Sequence, residues 1–214
     1  MRCLLFDLDG VLVDTRPLMA AALRNTAQAL GMPPPDTEAL AAAITLAPTR
    51  AARHLFPTAP SAVSLVSCAL TRQFDQARAC DGIREALSLA TAADLPLGVV
   101  TSRNRQEAAR CLHAAQIDGF FRVVITWGDT ARHKPFPDPL LAALTRLGCV
   151  RGHYVGDTPD DMRAAVAAGL QPLGAGWASA WGDAALHAAG ATQLLRHPLD
   201  LLRQLSHVEV CDDT

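Results

Sequence analysis

The sequence predicts an α/β fold, a three-layer α/β/α arrangement in which helices cover both faces of a parallel sheet and a small helical domain is inserted after the first strand. Three features carry that expectation. Five short apolar runs that end in polar residues or glycine punctuate the chain, at 3–9, 95–102, 121–128, 153–157 and 171–177. Helical patterns lie between most of them, and regular strand–helix alternation implies parallel pairing through right-handed crossovers. From Arg16 to about Ala79, in contrast, there are helical patterns only, such as 18–30 and 62–78, broken by "GMPPPDT" and by Pro48, Pro57 and Pro60. This block reads as a separate domain over residues 15–79, hinged near Asp14 and near Cys80 to Gly82, with 1–14 and 80–214 forming the core. It would sit over the strand ends, where a lid belongs.

Composition narrows the function classes. Of the 214 residues 50% are hydrophobic and 19% charged, which is globular composition with no sign of disorder. A formal net charge of −2 supplies no long-range field for a nucleic acid or a membrane surface. An anionic ligand must then be held by local groups, which favours a small molecule. The six cysteines, Cys3, Cys68, Cys80, Cys111, Cys149 and Cys211, include no C-x-x-C pair. That argues against a zinc site or a disulfide framework and for a reducing, cytoplasmic setting. After Met1 and Arg2 only four apolar residues precede Asp7, too few for a signal peptide. The uncharged run 164–181 is rich in alanine and glycine and contains Gln171 and Pro172, so it reads as a helix end, a turn and a strand.

At the end of the first run, "LLFDLDGVLVDT" sets Asp7 and Asp9 one residue apart. On a strand, residues i and i+2 point to the same side, so the two carboxylates would repel unless a cation or a proton intervened. A D-G turn accounts for Asp9 and Gly10 but not for Asp7, and a hard cation such as Mg²⁺, which prefers oxygen ligands, is the economical partner. The second run ends in "GVVTSRN". Asn104 followed by Glu107 marks a helix start and leaves Thr101 and Ser102 as small donors beside a helix N-terminus, where anions are favoured. In "RHKPFPDP", three prolines stiffen the loop that carries Lys134 and would aim its ammonium at a phosphate oxygen. In "HYVGDTPDDM", Thr158 as N-cap, Pro159 and Asp161 make an acidic helix start. Asp157 is not needed for that cap and is a candidate metal ligand, with Asp161 supporting it from behind while it caps the helix.

In order, D-x-D-G, strand-T-S, K-P and G-D-x-x-x-D, each at a strand end, resemble the motifs of the haloacid-dehalogenase-like hydrolase superfamily. The likeness spans the whole chain. The helical insert looks like that superfamily's small helical (C1-type) cap, and "LGAGW" followed by "AGATQLL" resembles the tail of the phosphoglycolate-phosphatase-like branch. The resemblance implies a Rossmann-like core, with Asp7 as nucleophile, Asp9 as general acid and base, and Thr101, Ser102 and Lys134 as phosphate-binding residues. It also implies Mg²⁺ held by Asp7, by the backbone carbonyl of Asp9 and by Asp157. The implied reaction is hydrolysis of a small phosphomonoester such as 2-phosphoglycolate through an aspartyl-phosphate.

The alternatives are a sugar-phosphate phosphatase, a phosphotransferase of the phosphoglucomutase type, and a non-catalytic regulatory protein. Complete motifs speak against the last. Asp9 speaks against dehalogenation, because the dehalogenating branch lacks the second aspartate. The segment "TLAPTRAARHLF" resembles the family's G-x-P-x-R cap loop, with Leu46 where glycine is common. Arg50 keeps the basic position and would pair bidentately with a substrate carboxylate or second phosphate. Monomer and homodimer are both open.

Overall fold

The computed structural model describes residues 1–201 and 203; Cys211 and the rest of the tail assigned to the core lie outside the described residues. The strands are β1 (Arg2–Phe6), β2 (Leu97–Val100), β3 (Val123–Ile125), β4 (Arg151–Gly156), β5 (Gln171–Ala175) and β6 (Gln193–Leu195). They form one parallel sheet in the order β3-β2-β1-β4-β5-β6. The order runs outward in both directions from the β1/β4 pair, so the crevice beyond the carboxyl ends of β1 and β4 is the topological switch point, where ligands bind in such sheets.

Side-chain alternation on the strands builds the three layers. Leu4 and Phe6 of β1 join Leu97 and Val99 of β2 in an apolar cluster on one face, under α5 (Ile83–Ala92) and α6 (Arg105–Ala114). Cys3 and Leu5 face the other way, into a cluster with Val100, Tyr154 and the buried side of α7 (Asp138–Leu147) and α8 (Pro159–Ala167). A sheet covered on both faces explains why its strands read as unbroken apolar runs. All five expected strands are present. The sixth, β6, was not expected: it is three residues long and opens on a glutamine, too short to show a period. A last helix, α9 (Asp183–Ala188), lies between β5 and β6.

The strands stop earlier than the apolar runs. β1 ends at Phe6, so the strand alternation invoked for Asp7 and Asp9 does not extend to either residue. The run 164–181 resolves into the end of α8, a turn at Gly169 and β5, as expected.

Between β1 and α5 lie α1 (Arg16–Ala29), α2 (Thr37–Ala43), α3 (Pro48–Leu55), α4 (Ala62–Thr71) and a 3₁₀ turn at Phe74–Gln76. Pro57 and Pro60 fall between α3 and α4, and "GMPPPDT" runs into the start of α2, which its Asp36 caps by accepting from Ala39 N at 2.8 Å. "LAPTR" is not a loop throughout. Pro48 takes the first turn of α3, where its missing N–H costs nothing, and Arg50 therefore stands on a helix.

The two limbs joining this block to the rest run side by side. Asp14 N donates to Arg78 O at 3.0 Å and Cys80 N to Leu12 O at 2.9 Å. The exit limb is docked on α6, where Arg110 grips Asp75 with two nitrogens and donates to Thr71 O at 2.8 Å. No helix among the described residues is long and apolar enough to cross a membrane.

Candidate active site

Past β1 the chain takes one more ladder step, Asp7 N donating to Val155 O at 2.9 Å, and then turns. Leu12 N and Val13 N both donate to Leu8 O, and fully buried Leu8, Val11, Leu12 and Val13 pin the turn to the core. Gly10 is required twice over. Its φ is +77°, a region that favours glycine, and a Cβ there would lie 2.8 Å from Asp157 Oδ2. The turn after β1 is thereby pressed against the carboxylate after β4.

Asp157 follows Gly156, where a Cβ would run into the side chain of Asp161. Thr158 and Asp161 form the expected capping box on α8. Thr158 Oγ1 and N donate to Asp161 Oδ2 at 2.6 and 3.1 Å, and Asp161 N donates to Thr158 Oγ1 at 3.2 Å. The cap consumes Oδ2 and leaves Oδ1 facing the crevice, where Tyr154 OH lies 3.0 Å away.

Lys134 fills the space between. Its Nζ donates to Asp7 Oδ1 at 2.7 Å, Asp161 Oδ1 at 2.7 Å, Tyr154 OH at 2.9 Å and, at 3.3 Å, to Val100 O. The loop that carries it is braced where it begins. Thr126 and Asp129 form a second capping box at the 3₁₀ turn Trp127–Asp129, and Asp129 also accepts from Arg105 and Arg146. Burial opposes ionisation of Asp129, but the Thr126 hydrogen bonds and the two arginines outweigh it and bring the carboxyl down to about 2.

Carboxylate oxygens of Asp7, Asp157 and Asp161 lie within 4.8 Å of one another. Asp7 and Asp161 are buried. Three carboxylates share one ammonium, which leaves a deficit of two positive charges. The strain appears in the titration of each group. Burial, with repulsion from Asp161 and Asp9, outweighs Lys134 and pushes Asp7 up to about 7. Burial and then Asp161 and Asp7 push Asp157 well above the carboxylate range. Asp161 ends below that range despite burial, because Lys134, Thr158 and Tyr154 all stabilise its anion. An all-oxygen donor set short of two positive charges suits a hard divalent cation.

Asp9 stands apart from this cluster. Its carboxylate is held by Arg103, Nη2 donating to Oδ1 at 2.8 Å and Nε to Oδ2 at 2.9 Å. Burial would raise its pKa, and Arg103 overrides that and lowers it. Thr101 is buried after β2, its Oγ1 accepting from Arg103 N at 3.1 Å, while Ser102 is exposed. Asn104 caps α6 as expected, accepting from Glu107 N at 2.9 Å. Arg50 is exposed on α3 and pairs with no carboxylate among the described residues.

The structure thus gathers Asp7, Asp9, Thr101, Lys134, Asp157 and Asp161 at one crevice and does not bring Arg50 into contact with them. Two members went unnoticed in the sequence, Arg103 and Tyr154. Arg103 was legible in "GVVTSRN" as a cation beyond the strand next to the D-x-D turn. Tyr154, the chain's single tyrosine, sits inside an apolar run, where its hydroxyl needs a partner.

A family model described as haloacid dehalogenase-like hydrolase matches residues 4–175. A phosphoglycolate phosphatase from Shigella boydii serotype 4 is 31% identical, over 86% of this chain and 84% of that protein. A phosphorylated carbohydrates phosphatase from Thermotoga maritima is 28% identical, over 97% of this chain and 100% of its own. Among solved structures, a putative beta-phosphoglucomutase from Thermotoga maritima superposes with a TM-score of 0.82 at 26% identity, covering 97% of this chain and 100% of that one. With the family match spanning most of its length and the Shigella enzyme aligned along most of both sequences, the chain belongs to the haloacid dehalogenase-like hydrolases, as a phosphatase of their phosphoglycolate-phosphatase-like branch.

Proposed function

We propose that this phosphatase hydrolyses a small phosphomonoester, 2-phosphoglycolate first among candidates, through an aspartyl-phosphate on Asp7 and with Mg²⁺ as its metal. The observation that carries the reading is the crevice beyond β1 and β4, where three carboxylates face a single ammonium. Asp7, Asp157 and the backbone carbonyl of Asp9 would hold the metal, with Asp161 behind them. When bound, the cation would neutralise the attacking carboxylate and the phosphoryl oxygens so that two anions can approach.

The remaining steps belong to the chain's own side chains. The Asp7 carboxylate attacks phosphorus and the ester oxygen departs. Lys134 and Thr101, with Ser102 at the rim, hold the phosphoryl oxygens. Lys134 Nζ already touches Asp7 Oδ1, so a phosphoryl group arriving at Asp7 meets the ammonium as its charge develops. Asp9, protonated from solvent as the substrate binds, gives that proton to the departing oxygen and afterwards takes one from the water that hydrolyses the acyl phosphate, which releases inorganic phosphate and restores Asp7. Residues 15–79 act as the lid over this crevice, with 1–14 and 80–214 as the core, and Arg50 is the lid's candidate contact with the substrate tail.

A panel of phosphate esters assayed with Mg²⁺ tests the reading. We expect turnover of 2-phosphoglycolate that EDTA abolishes and added Mg²⁺ restores, with inorganic phosphate as product. On Arg50→Ala the same panel should show about a tenfold loss in kcat/KM on carboxylate-bearing esters and less on neutral ones. Turnover indifferent to EDTA, or no turnover of any ester, overturns the proposal. Phosphoryl transfer to a second sugar in place of water would support the phosphotransferase reading, which the 26% identity to the Thermotoga mutase-like structure keeps in view.

A further inference from the structure

We propose that Arg103 recognises a carboxylate on the leaving group of the substrate, and that this exchange of partners releases Asp9 for proton transfer. The inference rests on the reading of Asp9 as acid and base given above. In the structure both oxygens of Asp9 accept from Arg103, Nη2 at 2.8 Å and Nε at 2.9 Å, and Nε also lies 3.3 Å from Oδ1. A carboxylate gripped by both oxygens presents neither one freely to a departing ester oxygen or to an attacking water. The guanidinium must let go during turnover.

Letting go is costly unless something replaces Asp9. Arg103 has a side chain only 14% exposed, and a guanidinium left unpaired in such a place keeps the cost of its burial with nothing to offset it. Glu107 lies 3.8 Å from Nη1, too far to take over as it stands. A substrate carboxylate can. The seat is already shaped for one, since the group now in it is a carboxylate bound by two parallel N–H donors, the geometry that Arg provides and Lys does not.

Three further contacts hold Arg103 in place for this task. Its N–H donates to Thr101 Oγ1, its carbonyl accepts from Trp127 N at 2.9 Å, and its guanidinium carbon lies 4.8 Å from the ring centroid of Phe74. Phe74 belongs to the 3₁₀ turn of the helical block, so the seat is walled by the insert on one side and by the phosphate-binding turn on the other. Because Asp9 and Arg103 are in contact, ester oxygen and carboxylate must be near neighbours in the substrate. A two- or three-carbon phosphorylated hydroxy acid meets that limit. A neutral ester leaves Asp9 latched.

Three substrates and two variants test this. The substrates are 2-phosphoglycolate, 2-hydroxyethyl phosphate as its uncharged counterpart, and p-nitrophenyl phosphate, whose leaving group departs without a proton. On 2-phosphoglycolate, Arg103→Gln should lose about a hundredfold in kcat/KM, in kcat as well as in KM, because the carboxylate both binds there and frees Asp9. On 2-hydroxyethyl phosphate the same variant should gain severalfold. Arg103→Lys keeps the charge without the fork, should recover less than half of the lost KM effect, and carries the test if the glutamine variant fails to fold.

Equal losses on all three substrates would make Arg103 a purely structural residue and overturn the proposal. So would a loss on 2-hydroxyethyl phosphate matching that on 2-phosphoglycolate, which would mean that Arg103 holds Asp9 in its working position in every turnover. Failure of the underlying reading looks different: the unmodified enzyme with Mg²⁺ would then release not even the first equivalent of p-nitrophenol, a step that needs Asp7 but no proton from Asp9.

Discussion

Asp7→Asn is expected to reduce kcat by about four to six orders of magnitude while the protein folds at least as well as before. An amide has nearly the carboxylate's shape, so packing around residue 7 is kept, but it is no nucleophile toward phosphorus. The stability half follows from charge. Asp7 is one of three carboxylates around a single ammonium, and burial with carboxylate neighbours raises its pKa to about 7. A group whose pKa is higher in the folded than in the unfolded chain binds its proton more tightly when folded. Its contribution to stability is complete below the unfolded value near 3.8 and is lost as pH rises through about 7. The metal-free enzyme should therefore soften between about pH 4 and 7, and Asp7→Asn should show a flatter profile and a higher midpoint at pH 8. Thermal unfolding in EDTA measures this. A variant that keeps more than about a hundredth of wild-type turnover would remove Asp7 as the nucleophile, and one less stable than wild type at pH 8 would contradict the charge argument.

The layers of the fold were legible because they depend on period and alternation. Runs such as 95–102 and 171–177 report that a strand is buried on both faces, whatever their partners are. What escaped lacks a period. β6 is too short to carry one, and the exact ends of β1 and α3 depend on tertiary contacts, the close approach of Gly10 to Asp157 and the entry of Pro48 into a helical turn. The insert was read from helical patterns unaccompanied by strands; those at 18–30 and 62–78 fall on α1 and α4, while the proline-broken stretch between them showed no period that would set the limits of α2 and α3.

The site divides along the same line. Asp7, Asp157 and Lys134 stood out because an ionisable residue that ends an apolar strand or sits in a proline-stiffened loop needs an explanation in its own neighbourhood. Asp9 was explained by the wrong neighbour. Strand geometry turned it toward Asp7, whereas the chain has already left β1 and the carboxylate faces Arg103, 94 positions away. Asp161 shows a related limit. Its cap role was visible in the spacing from Thr158, but the cap engages only one oxygen, and the other contacts Lys134, which only the folded crevice reveals.

Lys134→Met is expected to be the most destabilising single change in the crevice. The methionine side chain fills a similar volume, so the cost is electrostatic. It leaves Asp7 and Asp161 without the ammonium now 2.7 Å from each, and Tyr154 OH and Val100 O without its N–H groups. Removing one partner from a buried ion pair costs about 3–5 kcal/mol, because the remaining charge stays buried. For a chain of this size that amounts to a fall in Tm of about 6–20 °C in EDTA. Although burial opposes it, Asp161 and Asp7 hold the pKa of Lys134 above its ordinary value, so the ammonium is present throughout the working pH range and its loss is felt wherever those carboxylates are ionised. Lys134→Arg should rescue little, since a planar fork cannot occupy the point between two carboxylates, a phenol and a carbonyl that a compact ammonium fills. Added Mg²⁺ should recover part of the Tm, more in Lys134→Met than in wild type, because three carboxylates without their ammonium attract a divalent cation more strongly. Turnover should stay low even then, as the phosphoryl group has lost its fixed cation. A Lys134→Met protein as stable as wild type in EDTA would mean that the carboxylates are discharged by their own protons and that the ammonium contributes nothing to holding them together.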